Sequence, residues 1–208
     1  SSITAEIRDN ADINAYKVSV KAYGEESNYA EAKSGSGGVI SGAVSQAVTK
    51  NQSSTKASIG NGSKVNANQF AMLAEHTASY NSRVDTVNAS VVGGSGGLAS
   101  NSVTADVDAV IGSNAALNCY DILIEAKNHS VKDWLSDGRD NVKSGSGGAV
   151  DLPAAKSESL ITHKTKITIG NGAHLNIIGE PLFAGSLTLN AFNTILARDK
   201  VNLDAGGA

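Results

Sequence analysis

Apolar and polar residues alternate along much of the chain. The clearest run is "VTADVDAVI" at residues 103–111, and shorter runs begin at Tyr16 ("YKVSVKA"), Asn68 ("NQFAMLA") and Tyr120 ("YDILIEA"). An alternation of period two places every second side chain on the same face of an extended chain. Each run therefore predicts a strand with one buried face. No clear helical pattern accompanies these runs, so the chain is expected to be all-β.

A ten-residue phrase recurs between the predicted strands. "SIGNGSKVNA" (58–67) returns as "VIGSNAALNC" (110–119) and "TIGNGAHLNI" (168–177), and "EIRDNADINA" (6–15) is a degenerate copy. A phrase that recurs in this way is typical of architecture, whereas a catalytic motif is usually present once.

Marker residues define the repeat. The isoleucine recurs as Ile7, Ile59, Ile111 and Ile169, so the first two steps along the chain are equal and the third is longer. The asparagine that follows each isoleucine at a constant distance recurs as Asn14, Asn66, Asn118 and Asn176. We expect these asparagines either to share one corner of the fold or to point inward as an amide ladder. The turn glycines Gly60, Gly62, Gly170 and Gly172 are predicted to take positive φ. The approximate repeats of the single domain are 1–33, 34–92, 93–143 and 144–208.

A glycine-rich phrase lies between the copies of the motif. It reads "SGSGG" at 34–38 and 144–148 and "GGSGG" at 93–97, and it predicts a turn. The polar stretches 75–90 and 127–143 are predicted to be the variable surface segments in which binding specificity would lie.

The repeat favours a fold in which equivalent strands stack. A parallel β-helix (solenoid) joins parallel strands by coiling, with neighbouring rungs about 4.8 Å apart. Rungs of ordinary length predict about two rungs per ~52-residue repeat, about eight rungs in all, and a rod on the order of 40 Å long. Three shorter rungs per repeat are the alternative. Other β-solenoids, sandwiches and a β-propeller fit less well, since hairpin signals and a Trp-Asp signature are absent.

Composition and charge exclude several classes of function. The chain has 208 residues, a net charge of -3 and 4% aromatic residues. It has no basic block, so nucleic acid is not an expected partner. No apolar run reaches the roughly 18 residues that a membrane span requires. The single cysteine allows no internal disulfide. Since the first residues already belong to a repeat, we expect the chain to be a segment of a longer protein.

Candidate sites are few. Asp106 and Asp108 lie two residues apart on one face of a predicted strand, where they could bind a cation or act as an acid–base pair. A solvated strand face is the favoured interpretation. Trp134, the single tryptophan, could stack on a sugar, although a residue that covers the end of the core is favoured. These three residues are the candidate surface contacts.

The remaining candidates are weaker. Asp133, Asp137 and Asp140 could surround Ca²⁺, but their spacing matches neither an EF-hand nor a calcium-binding β-roll, so a polar loop is favoured. The four histidines lack metal-binding spacing, and surface positions are expected for them. Cys119 falls in a column with Ala15, Ala67 and Ile177, which indicates a small buried core position. No cofactor, metal or catalytic residue is predicted.

The motif resembles the repeats of filamentous haemagglutinin-like and leukotoxin-like filamentous adhesins, which are large bacterial exoproteins. Their repeats look like A-x-I-G-(D/N)-G-A-x-V-(N/T)-A. Residues 57–67 and 168–176 match this pattern well, residues 110–119 have Ser-Asn in place of Asn-Gly, and residues 6–15 match weakly. The resemblance spans almost the whole chain. It implies a right-handed parallel β-helix in a secreted or cell-surface protein, with a role in adhesion, aggregation or biofilm matrix.

The leading hypothesis is therefore a non-enzymatic, structural or adhesive stalk segment of an extracellular bacterial filament. Its expected partners are a glycan or another cell-surface ligand, and further copies of itself in fibres. The alternative is a carbohydrate-active β-helix, such as a polysaccharide lyase, a hydrolase or a spike-like glycan binder. A third hypothesis is a calcium-stabilised repeat.

Overall fold

A computed structural model describes residues 1–179 and 184–206. Within these residues there are nine strands and no helix, which confirms the all-β prediction. The strands are β1 (Ser2–Ile7), β2 (Asp12–Ile59), β3 (Lys64–Ile111), β4 (Ala116–Lys132), β5 (Val142–Gly147), β6 (Val150–Ile169), β7 (His174–Ile177), β8 (Ser186–Ala197) and β9 (Val201–Gly206).

Every strand pairing is parallel and joins residues one repeat apart. Ile7 pairs with Ile59, Ile59 with Ile111, and Ile111 with Ile169. The same register runs along the whole 48-residue length of β2 against β3. The chain is therefore a parallel β-solenoid, as the repeat predicts.

The prediction of two rungs per repeat is wrong, because each residue of β2 pairs with its equivalent a full repeat later and not with one about half a repeat away. One repeat is one rung, and the 208 residues form about four rungs, with a height of roughly 20 Å. The alternation of side chains reports which face of a strand is buried. It does not report how far the chain runs before it turns, and this is why the sequence suggested shorter rungs.

Each rung folds back on itself as two limbs that face each other. In the second rung, residues 70–82 and 84–90 of one limb and residues 95–111 of the other alternate between buried and more exposed side chains. At the fold-back, Asn88 Nδ2 donates a hydrogen bond to the carbonyl oxygen of Gly94 at 3.3 Å. The interior of the solenoid is the narrow space between the two limbs.

The interior is apolar near the recurring I-G-N-G turn. Two inward columns on one limb are Val18, Phe70, Ile122 and Leu187, and Val20, Met72, Ile124 and Leu189. Ile59 and Ile111 pack against them from the other limb, and both are buried. Full burial of such a side chain contributes about 1.5–3 kcal/mol to the free energy of unfolding, so this end of each rung supplies most of the apolar stabilisation.

Farther from that turn the interior is mixed, because small apolar clusters such as Ala78, Tyr80 and Val103 alternate with buried polar side chains. His76, Asn128 and Lys132 are inward-facing and fully or almost fully buried. His76 lies 3.9 Å from the carboxylate of Glu26, and the hydroxyl of Ser130 lies 2.6 Å from Nε2 of His163. The expected surface position is therefore wrong for His76. Its place in an inward column of the ladder, and not its chemical type, decides its burial.

The glycine-rich phrases are not equivalent turns. Residues 34–38 and 144–148 lie in one column, since Ser34 pairs with Thr86 and Thr86 with Ser144. The phrase at 93–97 lies on the other limb, and most residues of all three phrases belong to strands. Residues 75–90 are likewise part of β3, so their prediction as a variable surface segment is wrong.

The I-G-N-G turn uses its two glycines differently. Gly62 and Gly172 have positive φ, as predicted, and Asn10 and Asn114 have the same left-handed backbone at the equivalent positions. Gly60 and Gly170 do not have positive φ, so that prediction is wrong for them. A Cβ atom on Gly60 would lie 2.4 Å from the backbone nitrogen of Asp9, and the equivalent clash occurs at Gly170. These two glycines allow close approach of the neighbouring rung.

The marker asparagines form one column on the outer face. Nδ2 of Asn66, Asn118 and Asn176 donates to Oδ1 of the asparagine one rung before, at 2.7, 2.8 and 2.7 Å. The adjacent Val65 and Leu117 point inward and are fully buried. The amide ladder therefore exists, but it lies on the surface and joins adjacent rungs.

Candidate functional site

The loop 133–141 interrupts the ladder on the outer side of the solenoid. Val131 pairs with Ser79, whereas Val142 pairs with Val84, so the register shifts by six positions between these two pairs. The six additional residues lie in the segment 133–141, which leaves the sheet after β4 and returns at β5. This loop falls within the predicted variable segment 127–143, of which residues 127–132 are strand.

The loop and the neighbouring strands enclose a pocket of about 370 Å³. Two exposed aromatic side chains border it, Trp134 from the loop and Tyr29 from β2, and they are 52% and 51% exposed, whereas a third aromatic residue of the lining, Tyr80, is buried. The other lining residues are Ser27, Asn28, Glu31, Ser79, Asn81, Val131, Asp133, Leu135, Ser136, Asp137 and Arg139. The pocket thus spans three successive rungs, with polar groups beside two aromatic surfaces.

The sequence favours a Trp134 that covers the end of the core, and this prediction is wrong, because Trp134 lies in the loop and is half exposed. Its ring contacts Arg198, whose guanidinium lies 5.8 Å from the ring centroid. Nη1 of Arg198 also donates to Oδ1 of Asp133 at 3.1 Å. Asp133 in turn accepts a hydrogen bond from the backbone nitrogen of Trp134 at 2.8 Å. These contacts orient the indole while half of its surface remains accessible.

The base of the loop is anchored on the second rung. Asn81 Nδ2 donates to the carbonyl oxygen of Asp133 at 2.9 Å, and Asn141 Nδ2 donates to Oδ1 of Asn81 at 2.6 Å. Asn141 is fully buried. Both ends of the loop are therefore fixed by side-chain amides, which limits the conformational entropy that a ligand would have to remove.

An ionic network includes three of the lining residues, Glu31, Asp137 and Arg139. Nη1 of Arg83 donates to Glu31 at 2.6 Å, and Arg139 lies 3.6 Å from the same carboxylate. Arg139 also pairs with Asp137. Hydrogen bonds from Lys33 and then from Arg83 hold the pKa of Glu31 below its ordinary value.

The protonation states of the side chains in the pocket suit hydrogen bonding to a ligand. A hydrogen bond from the backbone nitrogen of Arg139, together with its side chain, lowers the pKa of Asp137. Burial, followed by the negative charge of Glu31, raises the pKa of Tyr29. The carboxylates are consequently ionised acceptors and the phenol is a neutral donor at neutral pH. A general acid for glycoside cleavage would instead require a carboxyl group with a raised pKa.

The other candidate residues lie elsewhere. Asp106 and Asp108 lie on the outer side of β3, and Lys166 lies 3.5 Å from Asp108. Lys56 and Lys166 pair with Asp108 in the ladder, and Lys164 pairs with Asp106. This alternation of charge between rungs supports the interpretation as a solvated strand face.

The three loop aspartates do not converge on a common centre. Asp133 pairs with Arg198, Asp137 with Arg139, and Asp140 with Lys200 at 3.0 Å. No group of three or more His, Cys, Asp or Glu residues suited to a metal ion occurs in the part of the chain that the structure describes. The calcium hypothesis therefore has no support in the geometry of this loop.

Cys119 occupies the column predicted for it, between Ala67 and Ile177. Its side chain is fully buried, and burial raises the pKa of the thiol. A thiol in that state is a poor nucleophile, in agreement with a small core position.

The sequence does not show which residues from other rungs complete the pocket. Tyr29, Glu31 and Arg139 were not singled out, because the first two lie on a different rung from the third and meet it only through stacking. The longer last step between the marker isoleucines was a usable signal, since additional residues in one rung must leave the ladder.

Comparison of the chain with protein-family models, curated proteins and solved structures finds no match. The resemblance to filamentous adhesins therefore stays a prediction. No helix long and apolar enough to span a membrane occurs among residues 1–179 and 184–206.

Proposed function

We propose that the chain is a structural and adhesive segment of a secreted or cell-surface bacterial filament. The observation that carries this proposal is the parallel ladder, which holds a two-aromatic pocket on the outside of a continuous sheet. Backbone hydrogen bonds between rungs satisfy the polar groups of the chain, and the asparagine column adds a second set. A rigid scaffold with an exposed loop suits the presentation of a binding surface.

The charge state of the pocket favours binding over catalysis. Glu31 and Asp137 have lowered pKa values, owing to hydrogen bonds from Lys33 and Arg83 and from Arg139 respectively. Neither can hold a proton for transfer at neutral pH. This is the reason to prefer an adhesive function to the carbohydrate-active alternative.

Self-association into fibres is part of the proposal. An apolar ridge runs along the fold-back, where Ile40, Val92 and Val150 stack in one column with 80%, 41% and 52% exposure. This ridge would bring copies of the chain together and multiply weak contacts with a ligand-bearing surface.

The experiment is an attachment assay with beads that carry the chain. Retention is measured under flow on surfaces coated with mucin, fibronectin or heparin, and on albumin as the control. We expect retention above the albumin level on at least one surface. Retention equal to albumin on all three would contradict the adhesive function.

A further inference from the structure

We propose that the pocket beneath loop 133–141 binds a neutral saccharide. This inference rests on the proposed adhesive function and specifies its ligand. The juxtaposition that supports it is Trp134 and Tyr29, two half-exposed aromatic rings from different rungs, beside ionised carboxylates and neutral hydroxyl and amide groups.

The two rings supply the surface that a sugar requires. A pyranose ring has an apolar face of C–H groups, which packs on an aromatic face, and a rim of hydroxyl groups. Tyrosine and tryptophan are suited to such mixed ligands because each combines a large apolar area with a polar end. Arg198 and Asp133 fix the position of Trp134, so stacking would cost little additional ordering.

The polar groups around the rings match a polyhydroxylated ligand. Glu31, Asp133 and Asp137 can accept hydrogen bonds from sugar hydroxyls, while Ser27, Ser79 and Arg139 can donate. Hydrogen bonds that involve an ionised partner are stronger than neutral ones. The volume of about 370 Å³ lies at the small end of ligand pockets, which suits a monosaccharide or a short disaccharide.

The charges of the pocket favour a neutral sugar over an anionic one. Three carboxylates border the pocket, from Glu31, Asp133 and Asp137, while Arg139 is the single basic residue in the lining. That arginine already pairs with Asp137 and lies close to Glu31. The cations around the pocket are paired as well, since Lys33 and Arg83 contact Glu31 and Arg198 contacts Asp133. A sialic acid or uronic acid carboxylate would have to displace one of these carboxylates from its cation, so we expect acidic sugars to bind more weakly.

The chain contains its own reporter for this inference, because Trp134 is its single tryptophan. We would titrate the whole chain with glucose, galactose, mannose, N-acetylglucosamine and lactose, and with sialic acid as the anionic comparison, and record tryptophan fluorescence. We expect a saturable change with at least one neutral sugar and weaker binding of sialic acid.

Three variants assign the binding to the pocket. Tyr29→Ala keeps the reporter and should weaken binding about tenfold, which is the loss expected for one aromatic contact. Trp134→Ala, followed by calorimetry, should weaken binding by a similar factor, and Trp134→Phe should retain part of it. Tyr16→Ala is the matched control, since Tyr16 is 75% exposed and does not line the pocket. Circular dichroism and thermal midpoints establish that each variant is folded.

The outcomes separate this inference from the proposed function. Absence of saturation with every neutral sugar, equal binding by Tyr29→Ala and wild type, or tighter binding of sialic acid would overturn the saccharide pocket. If the beads still attach to a coated surface in that case, the adhesive function stands and its ligand binds elsewhere. If Trp134→Ala loses both sugar binding and attachment while Tyr16→Ala retains both, the pocket is the adhesive site.

Discussion

Asn66 donates its side-chain amide to Oδ1 of Asn14 across 2.7 Å, although the two residues are 52 positions apart in the sequence. Their backbones are also paired in the β2–β3 ladder. The same relationship joins Asn118 to Asn66 and Asn176 to Asn118. The repeated asparagine is therefore explained by a column in which the two inner amides, Asn66 and Asn118, each donate to one neighbour and accept from the other.

Loss of one amide from this column should reduce stability. Asn118→Ala removes two side-chain hydrogen bonds, those with Asn66 and with Asn176. Because a hydrogen bond contributes about 1 kcal/mol net, we expect the free energy of unfolding to fall by about 1–2 kcal/mol in urea titrations. Asn68→Ala is the control, since Asn68 is exposed and makes no side-chain hydrogen bond with the described residues. Equal effects of the two substitutions would show that the column does not stabilise the fold.

Two substitutions in one turn should differ in how much they destabilise the fold. Gly112→Ala places a Cβ atom 2.6 Å from the backbone of Gly60 and Asn61, so we expect a loss of about 2–3 kcal/mol. Asn114→Gly should change stability by less than about 1 kcal/mol, because glycine tolerates positive φ and already occupies the equivalent positions Gly62 and Gly172. Thermal unfolding compares them. The account of this turn fails if Asn114→Gly is the more damaging change.

Acid should destabilise the fold through its buried histidines. Burial lowers the pKa of His76, and burial together with the nearby His76 and His129 lowers the pKa of His163. Below about pH 6.5 the unfolded chain therefore binds more protons than the folded chain. The contribution of these histidines to the free energy of unfolding is fully present above that pH. It is lost as the pH falls, by up to about 1.4 kcal/mol per pH unit for each histidine.

His76→Asn tests this pH dependence. Asparagine already occupies the same column as Asn128 and Asn193, so the substitution should fold. We expect a smaller loss of stability between pH 7 and pH 5, measured by urea titration. His174→Asn is the control, because His174 is exposed. An unchanged slope in His76→Asn, or an equal change in the control, would exclude the buried histidine as a source of acid sensitivity.

The fold should tolerate replacement of the buried Lys132, whereas loss of its partner Asp199 should destabilise it. Lys132 is fully buried, pairs with Asp199, and lies 3.3 Å from the hydroxyls of Ser157 and Ser159. Asp199→Ala leaves a buried charge unpaired and should cost about 2–4 kcal/mol. Lys132→Met should be close to neutral, since Asp199 is partly exposed and can be solvated. Denaturant titrations should rank these variants.

An exposed ion pair is the control for this prediction. Glu158 pairs with Lys156, and their side chains are 43% and 67% exposed. Glu158→Ala should leave the denaturation midpoint nearly unchanged, because exposed ion pairs contribute little to stability. A larger cost for Lys132→Met than for Asp199→Ala would contradict the account of the buried pair.

The sequence predicts the strands, the repeat and the asparagine column, because each depends on period-two alternation or on a recurring phrase. It does not predict the number of rungs, since period-two alternation reports which face of a strand is buried and not how far the chain runs before it folds back. His76 and Lys132 were also unpredictable as interior residues. The column of His76 contains glycine and asparagine, as Gly24, Asn128 and Asn193, so no apolar pattern marks it.

The pocket was predictable only in part. The exposed Trp134 and a variable segment around it can be found in the sequence, and the longer last repeat marks an insertion. Tyr29 and Glu31 could not be assigned to the same site, because their proximity to the loop depends on how rungs stack. Once the register between rungs is known, Asn81 falls beside Tyr29 and the pocket can be assembled.

The central claim is that one repeat forms one rung, and disulfide trapping tests it most directly. In a Cys119→Ala background, Ser19→Cys with Ala71→Cys places two thiols at paired positions of β2 and β3. Adjacent parallel strands are about 4.8 Å apart, which lies within the Cα separation that a disulfide requires. Ser19→Cys with Val44→Cys is the comparison, about half a repeat away. Peptide mapping by mass spectrometry after oxidation should find the 19–71 disulfide and no 19–44 disulfide. A 19–44 disulfide without the 19–71 disulfide would contradict the account.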